Sequence, residues 1–111
     1  MMQQRKFAAM ALASSLLLLG GCASNFIDVR AGSDHVSLAQ ASQVGHCKPV
    51  GKTTVSVTAK VGIYNRSIAD VDADLLQLAR NDAVDIGGDT VVASERPDVG
   101  KQVFLIYRCR P

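Results

Sequence analysis

The residues of this chain best suited to chemistry are a neighbouring pair in mid-sequence, His46 and Cys47. An imidazole close to a thiol lowers the pKa of the thiol and makes it a better nucleophile. Neighbouring residues of a β-strand point to opposite faces, however, so we expect the two side chains to diverge and predict no catalytic dyad. His35, His46 and Cys47 also lack the paired spacing of a zinc site, and we predict no metal and no other cofactor.

Six aspartates lie in and just after one predicted helix. Two of them share a helix face closely, and no third ligand or glycine-centred loop marks a calcium site. Gly87-Gly88 closes this helix instead of opening one, so it is not a phosphate loop. We predict a solvated acidic face. The sequence shows no combination of a nucleophile, a general base and a residue to orient that base, so it does not predict an enzyme. The six are Asp70, Asp72, Asp74, Asp82, Asp85 and Asp89.

The chain begins with the three parts of an export signal. Residues 1–6 carry Arg5 and Lys6, residues 7–19 are apolar, and Gly20-Gly21 follow directly before Cys22. The apolar run has 13 residues, and a membrane-spanning helix needs roughly 20. We therefore predict that residues 1–21 are a signal peptide that is removed on export.

Leu19-Gly20-Gly21-Cys22 resembles the lipobox of bacterial lipoproteins. That resemblance implies a diacylglyceryl group on the Cys22 thiol, cleavage before Cys22 and, often, acylation of the new amino group. A plain signal peptide with an incidental cysteine is the alternative. In Gram-negative lipoproteins an aspartate after the cysteine tends to retain the product in the inner membrane, and Ala23-Ser24 lacks it. The resemblance thus implies an outer-membrane anchor that faces the periplasm.

The two other cysteines, Cys47 and Cys109, are an even pair in a chain with an export signal. Such a pair usually forms a disulfide, although two free thiols are the alternative. Arg5 and Lys6 account for the whole excess of 12 basic over 10 acidic residues. The exported part is therefore balanced in charge, which argues against a nucleic-acid partner.

The hydrophobic periodicity predicts one α+β domain over residues 35–111, after a tether at residues 22–34. Val55, Val57 and Ala59 alternate with polar residues, as in a half-buried strand. Residues 67–86 read as an amphipathic helix that is capped by Ser67 and ended by Gly87. Short strands are predicted near residues 35–39 and 90–94, and the strand at residues 102–109, apolar on both faces, belongs inside the sheet. We expect a small, mostly antiparallel sheet of about four strands with the helix on one face, braced by one disulfide.

Several of these motifs together resemble a family of small bacterial lipoproteins known as domain-of-unknown-function family 4156. They are the cysteine before an apolar-glycine pair (Cys47, Val50-Gly51), the helix running into Gly87-Gly88-Asp89-Thr90-Val91-Val92, and the terminal Tyr107-Arg108-Cys109. The resemblance covers roughly residues 36–110 and places a cysteine at both 47 and 109. More distantly, the arrangement is similar to the outer-membrane stress-sensor lipoprotein RcsF, which has four domain cysteines where this chain has two.

We therefore expect a non-enzymatic, lipid-anchored envelope protein that acts as a structural, docking or sensing module. A small envelope hydrolase or thiol enzyme and a ligand-binding module are the alternatives. Phe104 and Ile106 have the opposite strand parity to Cys109, which predicts an exposed apolar patch for self-association or for another envelope protein. The competing expectation is that Phe26, Ile27 and Val29 of the tether fold back and cover this patch.

Overall fold

The computed structural model describes residues 27–61 and 64–111, so the predicted signal peptide and Cys22 lie outside the described residues. Within these two ranges one helix and six strands follow each other, together with two short 3-10 helices at Ser33–His35 and Ala41–Gln43. In chain order the elements are β1 (Ser37–Ala39), β2 (Lys48–Ser56), β3 (Lys60–Val61), β4 (Tyr64–Asn65), α1 (Ile68–Ile86), β5 (Thr90–Ala93) and β6 (Lys101–Arg108).

Helix α1 begins and ends where the sequence predicts. The hydroxyl of Ser67 accepts the backbone N–H of Asp70 at 3.1 Å, which satisfies one of the free donors of the first turn. Gly87 ends the helix with a φ of 81°, a left-handed conformation that glycine adopts without a steric penalty. Among the described residues, no helix has both the length and the apolar character needed to cross a membrane.

Four strands form one sheet in the order β1-β5-β6-β2. Strands β1 and β5 are parallel, and the β5–β6 and β6–β2 pairs are antiparallel. The apolar strand β6 therefore lies inside the sheet, as its sequence indicates. Helix α1 packs on one face of the sheet, so the α+β prediction is confirmed.

The core lies between α1 and the sheet, and it corrects the prediction for Phe104 and Ile106. These two side chains are only 4% and 1% exposed, and they belong to the apolar cluster beneath the helix. The prediction that they form an exposed partner surface is wrong. Ile27 and Val29 do not cover them either, because Ile27 lies beside Tyr64 and Leu78, and Val29 is exposed; Phe26, the third residue of that prediction, lies outside the described residues. The rest of the buried cluster is Val36, Val55, Val71, Leu75, Ala79, Ala83 and Val91.

A β-bulge explains this reversal. Pro49 pairs with Tyr107 but Gly51 pairs with Ile106, so Val50 is an extra residue in β2. An extra residue shifts the alternation of one strand by one position. Cys47 therefore does not share a face with Val55, although the uninterrupted sequence pattern predicts that it does. The alternation of β6 is inferred from Cys109, and it is inverted for the same reason, because Cys109 is bonded to Cys47.

The face of the sheet opposite α1 also holds buried side chains. Residues 40–47 join β1 to β2, which are the two outer strands. Val44 in the connection is only 5% exposed although it is outside the helix-side cluster. Val92 and Val103, whose register places them on this second face, are buried in the same way. The second face thus has a small apolar layer of its own.

The segment predicted as a tether is part of the fold from Asp28 onward. The side chain of Asn81 donates to the carbonyl of Asp28 at 2.6 Å and accepts the N–H of Arg30 at 3.1 Å. Gln77 donates to the hydroxyl of Ser33 at 3.1 Å. Asn81 and Gln77 are on the side of α1 away from the sheet, and the segment runs across that side before it enters β1. Asn81 is buried because this strap, residues 28–33, covers it.

Candidate functional site

The disulfide predicted from the cysteine count is present. Cys47 and Cys109 are joined by an S–S bond of 2.05 Å, with 62 positions between them in sequence. It links the turn before β2 to the residue after β6, so it fastens one end of the longest strand pair. Both half-cystines are partly exposed.

The geometry of His46 differs from the sequence-based expectation. Its Nε2 lies 3.8 Å from the sulfur of Cys47, so the two side chains do not diverge. Both residues lie in a turn before β2, closed by the N–H of Cys47 on the carbonyl of Val44 at 3.0 Å, and strand alternation does not apply there. The sulfur is engaged in the disulfide, however, and a nucleophile requires a free thiolate. Within residues 27–61 and 64–111, no three His, Cys, Asp or Glu side chains are grouped for a metal ion.

The carboxylate of Asp89 is the centre of a hydrogen-bond network, although the sequence predicts a solvated aspartate there. Its Oδ1 accepts the N–H of Cys109 at 2.8 Å and the hydroxyl of Thr90 at 2.9 Å, and its Oδ2 accepts the N–H of Arg110 at 2.9 Å. Burial alone raises the pKa of this carboxyl. The hydrogen bonds from Cys109, Arg110 and Thr90, together with the charge of Arg110, outweigh burial, so the pKa of Asp89 is lowered.

Arg110 extends this centre to the entrance of β1. Its guanidinium donates to the carbonyl of Asp89 at 3.0 Å and also to the carbonyl of His35. The last residues of the domain are thereby fixed to the turn after α1 and to the segment before β1. No local sequence pattern predicts these contacts, because Asp89 and His35 precede Arg110 by 21 and 75 positions.

Gly88, directly before Asp89, is required because a larger residue has no room there. Gly88 lies so close to β6 that a Cβ atom there would be 2.3 Å from Cγ2 of Ile106 and 3.3 Å from the carbonyl oxygen of Tyr107. Its N–H bonds the carbonyl of Ala83 at 2.8 Å, which satisfies one carbonyl of the last helical turn. Gly87-Gly88-Asp89 therefore ends the helix, approaches the sheet and holds the C-terminal segment.

Of the five other aspartates, Asp70 and Asp85 are exposed as predicted, and the other three are half-buried and paired. Asp74 pairs with Arg66 at 2.6 Å, and Asp72 pairs with Arg96 at 2.7 Å. Asp82 accepts the hydroxyl of Thr53 at 2.6 Å. These contacts tie the helix to the β-strands and loops beside it, and they leave no cluster of free carboxylates in the described part of the chain.

The chain between β2 and α1 forms a small hairpin of two short strands. Strands β3 and β4 pair Lys60 with Asn65, and Val61 with Tyr64. Arg66 holds this hairpin against the domain, because its N–H bonds the carbonyl of Ala59 at 2.9 Å and its guanidinium reaches both the carbonyl of Thr58 and Asp74.

Two connected hollows open beside the hairpin. A groove of about 700 Å³ has Ile27, Val57, Tyr64 and Leu78 as its apolar lining. A second hollow of about 590 Å³ shares Thr58 and Arg66 with the groove and is lined by Ile68, Val71 and Val99. We call the surface formed by Tyr64, Ile68 and Val99 around Arg66 the hairpin-end surface. Its three apolar side chains are exposed, unlike those of Phe104 and Ile106.

Comparison with known proteins identifies a family but no activity. The family described as a domain of unknown function (DUF4156) matches residues 27–109. The match begins at Ile27, one residue before the strap makes its first contact with α1. No curated protein and no solved structure matches this chain. The more distant resemblance to the stress-sensor lipoprotein stays a prediction.

Proposed function

The chain belongs to the DUF4156 family of domains of unknown function, and we propose that it is a lipid-anchored module of the bacterial cell envelope. In this proposal Cys22 carries the lipid, and the domain faces the periplasm from the outer membrane. Its role there is non-enzymatic: it acts as a structural, docking or sensing module for another envelope protein or for a second copy.

The single observation that carries the proposal is Leu19-Gly20-Gly21-Cys22, which follows a short apolar run and lies just before the folded domain. Small residues before a cysteine suit lipid attachment to its thiol and cleavage in front of it. The disulfide supports export, because disulfides persist in oxidising compartments and are rare in the cytosol. Ala23-Ser24 after the cysteine supports the outer membrane over the inner one.

A non-enzymatic role is supported by how the reactive groups are used. Cys47 and Cys109 are bonded to each other, Asp89 is surrounded by hydrogen-bond donors, and three helix aspartates are held by arginines or by Thr53. These particular side chains are engaged with one another or with the backbone and stabilise the fold. An active site, by contrast, usually keeps a nucleophile and a base free for a substrate.

Two alternatives each rest on one observation. The groove of about 700 Å³ beside Tyr64 is within the size range of small-molecule sites, which favours a ligand-binding module. The 3.8 Å contact between His46 and Cys47 favours a thiol enzyme, provided that the disulfide is reduced. A thiol enzyme requires Cys47 in its reduced form, so activity that appears only after reduction and is lost in Cys47→Ser would favour it.

The anchor is tested by metabolic labelling with a fatty acid. The parent protein should incorporate the label, and Cys22→Ser should neither incorporate it nor be processed before residue 22. The matched control is Cys109→Ser, which removes a different cysteine and should keep the label. Label retained on Cys22→Ser would contradict the proposal.

The docking role is tested by cross-linking in intact envelopes, followed by denaturing purification of the anchored protein. We expect one discrete cross-linked species that contains a second envelope protein or a second copy of this chain. Cys22→Ser should lose this species, because the unanchored protein is no longer held near its partner. The absence of any discrete species in the anchored parent would count against docking.

A further inference from the structure

The described part of the chain starts at the hairpin-end surface. Ile27 lines the groove together with Tyr64 and Leu78. Cys22 precedes Ile27 by five residues, and a fully extended chain covers at most about 3.6 Å per residue. A lipid on Cys22 therefore lies within about 18 Å of Ile27, whatever path the intervening residues take.

The same end of the domain exposes large apolar side chains. Tyr64, Ile68 and Val99 are 68%, 76% and 79% exposed, and they come from three separate elements: β4, the first residue of α1 and the turn before β6. The hollow beside them contacts the groove of Ile27 through Thr58 and Arg66. Exposed apolar side chains do not make a protein more soluble. Where they are clustered, they mark interaction sites.

We propose that the hairpin-end surface lies on the lipid bilayer, with Tyr64, Ile68 and Val99 inserted at the level of the headgroups. The proposal rests on lipidation of Cys22, which it extends from an anchor to an oriented anchor. A short tether keeps the surface at a high effective concentration next to the membrane, so weak insertion is enough to hold it there. Tyrosine suits this position because its ring is apolar and its hydroxyl remains hydrated.

The charges around the surface indicate that burial of apolar side chains drives the insertion, and not attraction to anionic headgroups. Three cations line the hollow beside the exposed apolar residues. Arg66 and Arg96 are paired with Asp74 and Asp72, which leaves Lys60 as the one cation there without an ion pair among the described residues. One lysine is far less than the cluster of about four to eight basic residues that binds anionic headgroups. Membrane contact should therefore persist on zwitterionic lipid and at high salt, unlike the contact of a polybasic segment.

Oriented insertion places the two ends of α1 at different depths. Ile68 is the first residue of the helix and Ile86 the last, and both are exposed isoleucines. Their Cα atoms are about 27 Å apart at 1.5 Å per residue. The chain contains no tryptophan, so Ile68→Trp and Ile86→Trp each give one fluorescent probe, and Ile86→Trp is the matched control.

The experiment uses each full-length variant, expressed so that it is processed and lipidated, in vesicles of phosphatidylethanolamine and phosphatidylcholine. Each variant is measured in two vesicle preparations. The acyl chains of one preparation are brominated and quench tryptophan fluorescence only on contact. We expect a blue-shifted emission and a loss of intensity for Ile68→Trp, and unchanged emission for Ile86→Trp. Val99→Trp, on the neighbouring turn, should behave like Ile68→Trp, and high salt should not restore the intensity.

Three outcomes would overturn the proposal. Equal quenching of Ile68→Trp and Ile86→Trp, or quenching of neither, would show that the domain is not oriented in this way. A blue shift of Ile68→Trp that bromine does not quench would show that a second copy covers the surface instead. If the fatty-acid label is missing from all variants, the anchor itself is absent; if the label is present, only the surface assignment fails.

Discussion

Oδ1 of Asp89 accepts the backbone N–H of Cys109 at 2.8 Å, so the carboxylate that follows the helix-ending glycines holds the half-cystine at the end of β6. The disulfide then connects this residue to the turn before β2. The end of α1, the end of β6 and the start of β2 are thereby fixed at one point. The hairpin-end surface is at the other end of the helix and the sheet, where the guanidinium of Arg66 bonds the carbonyl of Thr58 and Asp74.

Asp89 should make the stability of the domain depend on acid pH. The pKa of Asp89 is lowered in the folded protein from an ordinary value of 3.8. Its stabilisation is therefore fully present above that ordinary value and is lost as the pH falls through the folded pKa. Near neutrality, Asp89→Asn should reduce the free energy of unfolding by about 1–3 kcal/mol, because the partly buried donors of Cys109 and Thr90 lose a charged acceptor. Urea denaturation at several pH values measures this.

The matched control for Asp89 is Asp85→Asn. Asp85 pairs with Arg30 at 3.2 Å, and both side chains are largely exposed. Exposed ion pairs contribute about 0–1 kcal/mol, so this variant should stay close to the parent at every pH. The difference between the parent and Asp89→Asn should shrink as the pH falls below the ordinary value of 3.8. A difference that is constant over the whole pH range would contradict the role of the Asp89 charge.

The disulfide should contribute a large part of the stability. For a separation of 62 residues, the chain-entropy relation gives about 4 kcal/mol. The double variant Cys47→Ser/Cys109→Ser should lower the free energy of unfolding by that order, and the parent should fall to the same value when reductant is added. Equal unfolding midpoints with and without reductant would show that the bond does not stabilise the fold.

Phe104 and its neighbour Leu105 test the assignment of the sheet faces. Phe104 is buried beneath α1, whereas Leu105 is half-buried and its register with Lys52 and Val92 places it on the other face. Phe104→Ala should cost about 3–5 kcal/mol, and Leu105→Ala should cost clearly less. Thermal denaturation compares the two variants. A larger loss for Leu105→Ala would mean that the face beneath the helix has been assigned wrongly.

Gly88 and Gly45 are a matched pair for the glycine motif. A Cβ at Gly88 meets Ile106 at 2.3 Å, whereas a Cβ at Gly45 meets nothing within 4 Å, and neither glycine has a positive φ. Gly88→Ala should destabilise the domain by about 1–3 kcal/mol through overpacking. Gly45→Ala should be neutral or stabilising by up to about 1 kcal/mol. Chemical denaturation of both variants measures the contrast, and equal effects would rule out the steric explanation.

Local patterns were enough to predict the helix, its two caps, the main strands and the disulfide. Ser67 and Gly87 act on their own neighbours, and Val55 alternates within one strand, so these features can be read from short stretches. Strand β6 is apolar on both faces, and this alone indicated its place inside the sheet.

The predictions that the structure contradicts all depend on contacts between residues distant in sequence. The bulge at Val50 inverts the parity of Cys47, and no residue type near it fixes where the extra position falls. Asn81 is buried on the outer side of the helix because the strap covers it, 51 residues away from Arg30. Ile68 fits the apolar stripe of the helix but is exposed, because the stripe extends past the end of the sheet.

The N-terminus of the mature protein tests the anchored-module proposal most directly. Mass spectrometry of the N-terminal peptide, taken from protein purified out of intact envelopes, measures both the cleavage site and the modification. We predict a peptide that begins at Cys22 and carries a diacylglyceryl group on its sulfur. An unmodified Cys22, or a chain that keeps residues 1–21, would contradict the proposal.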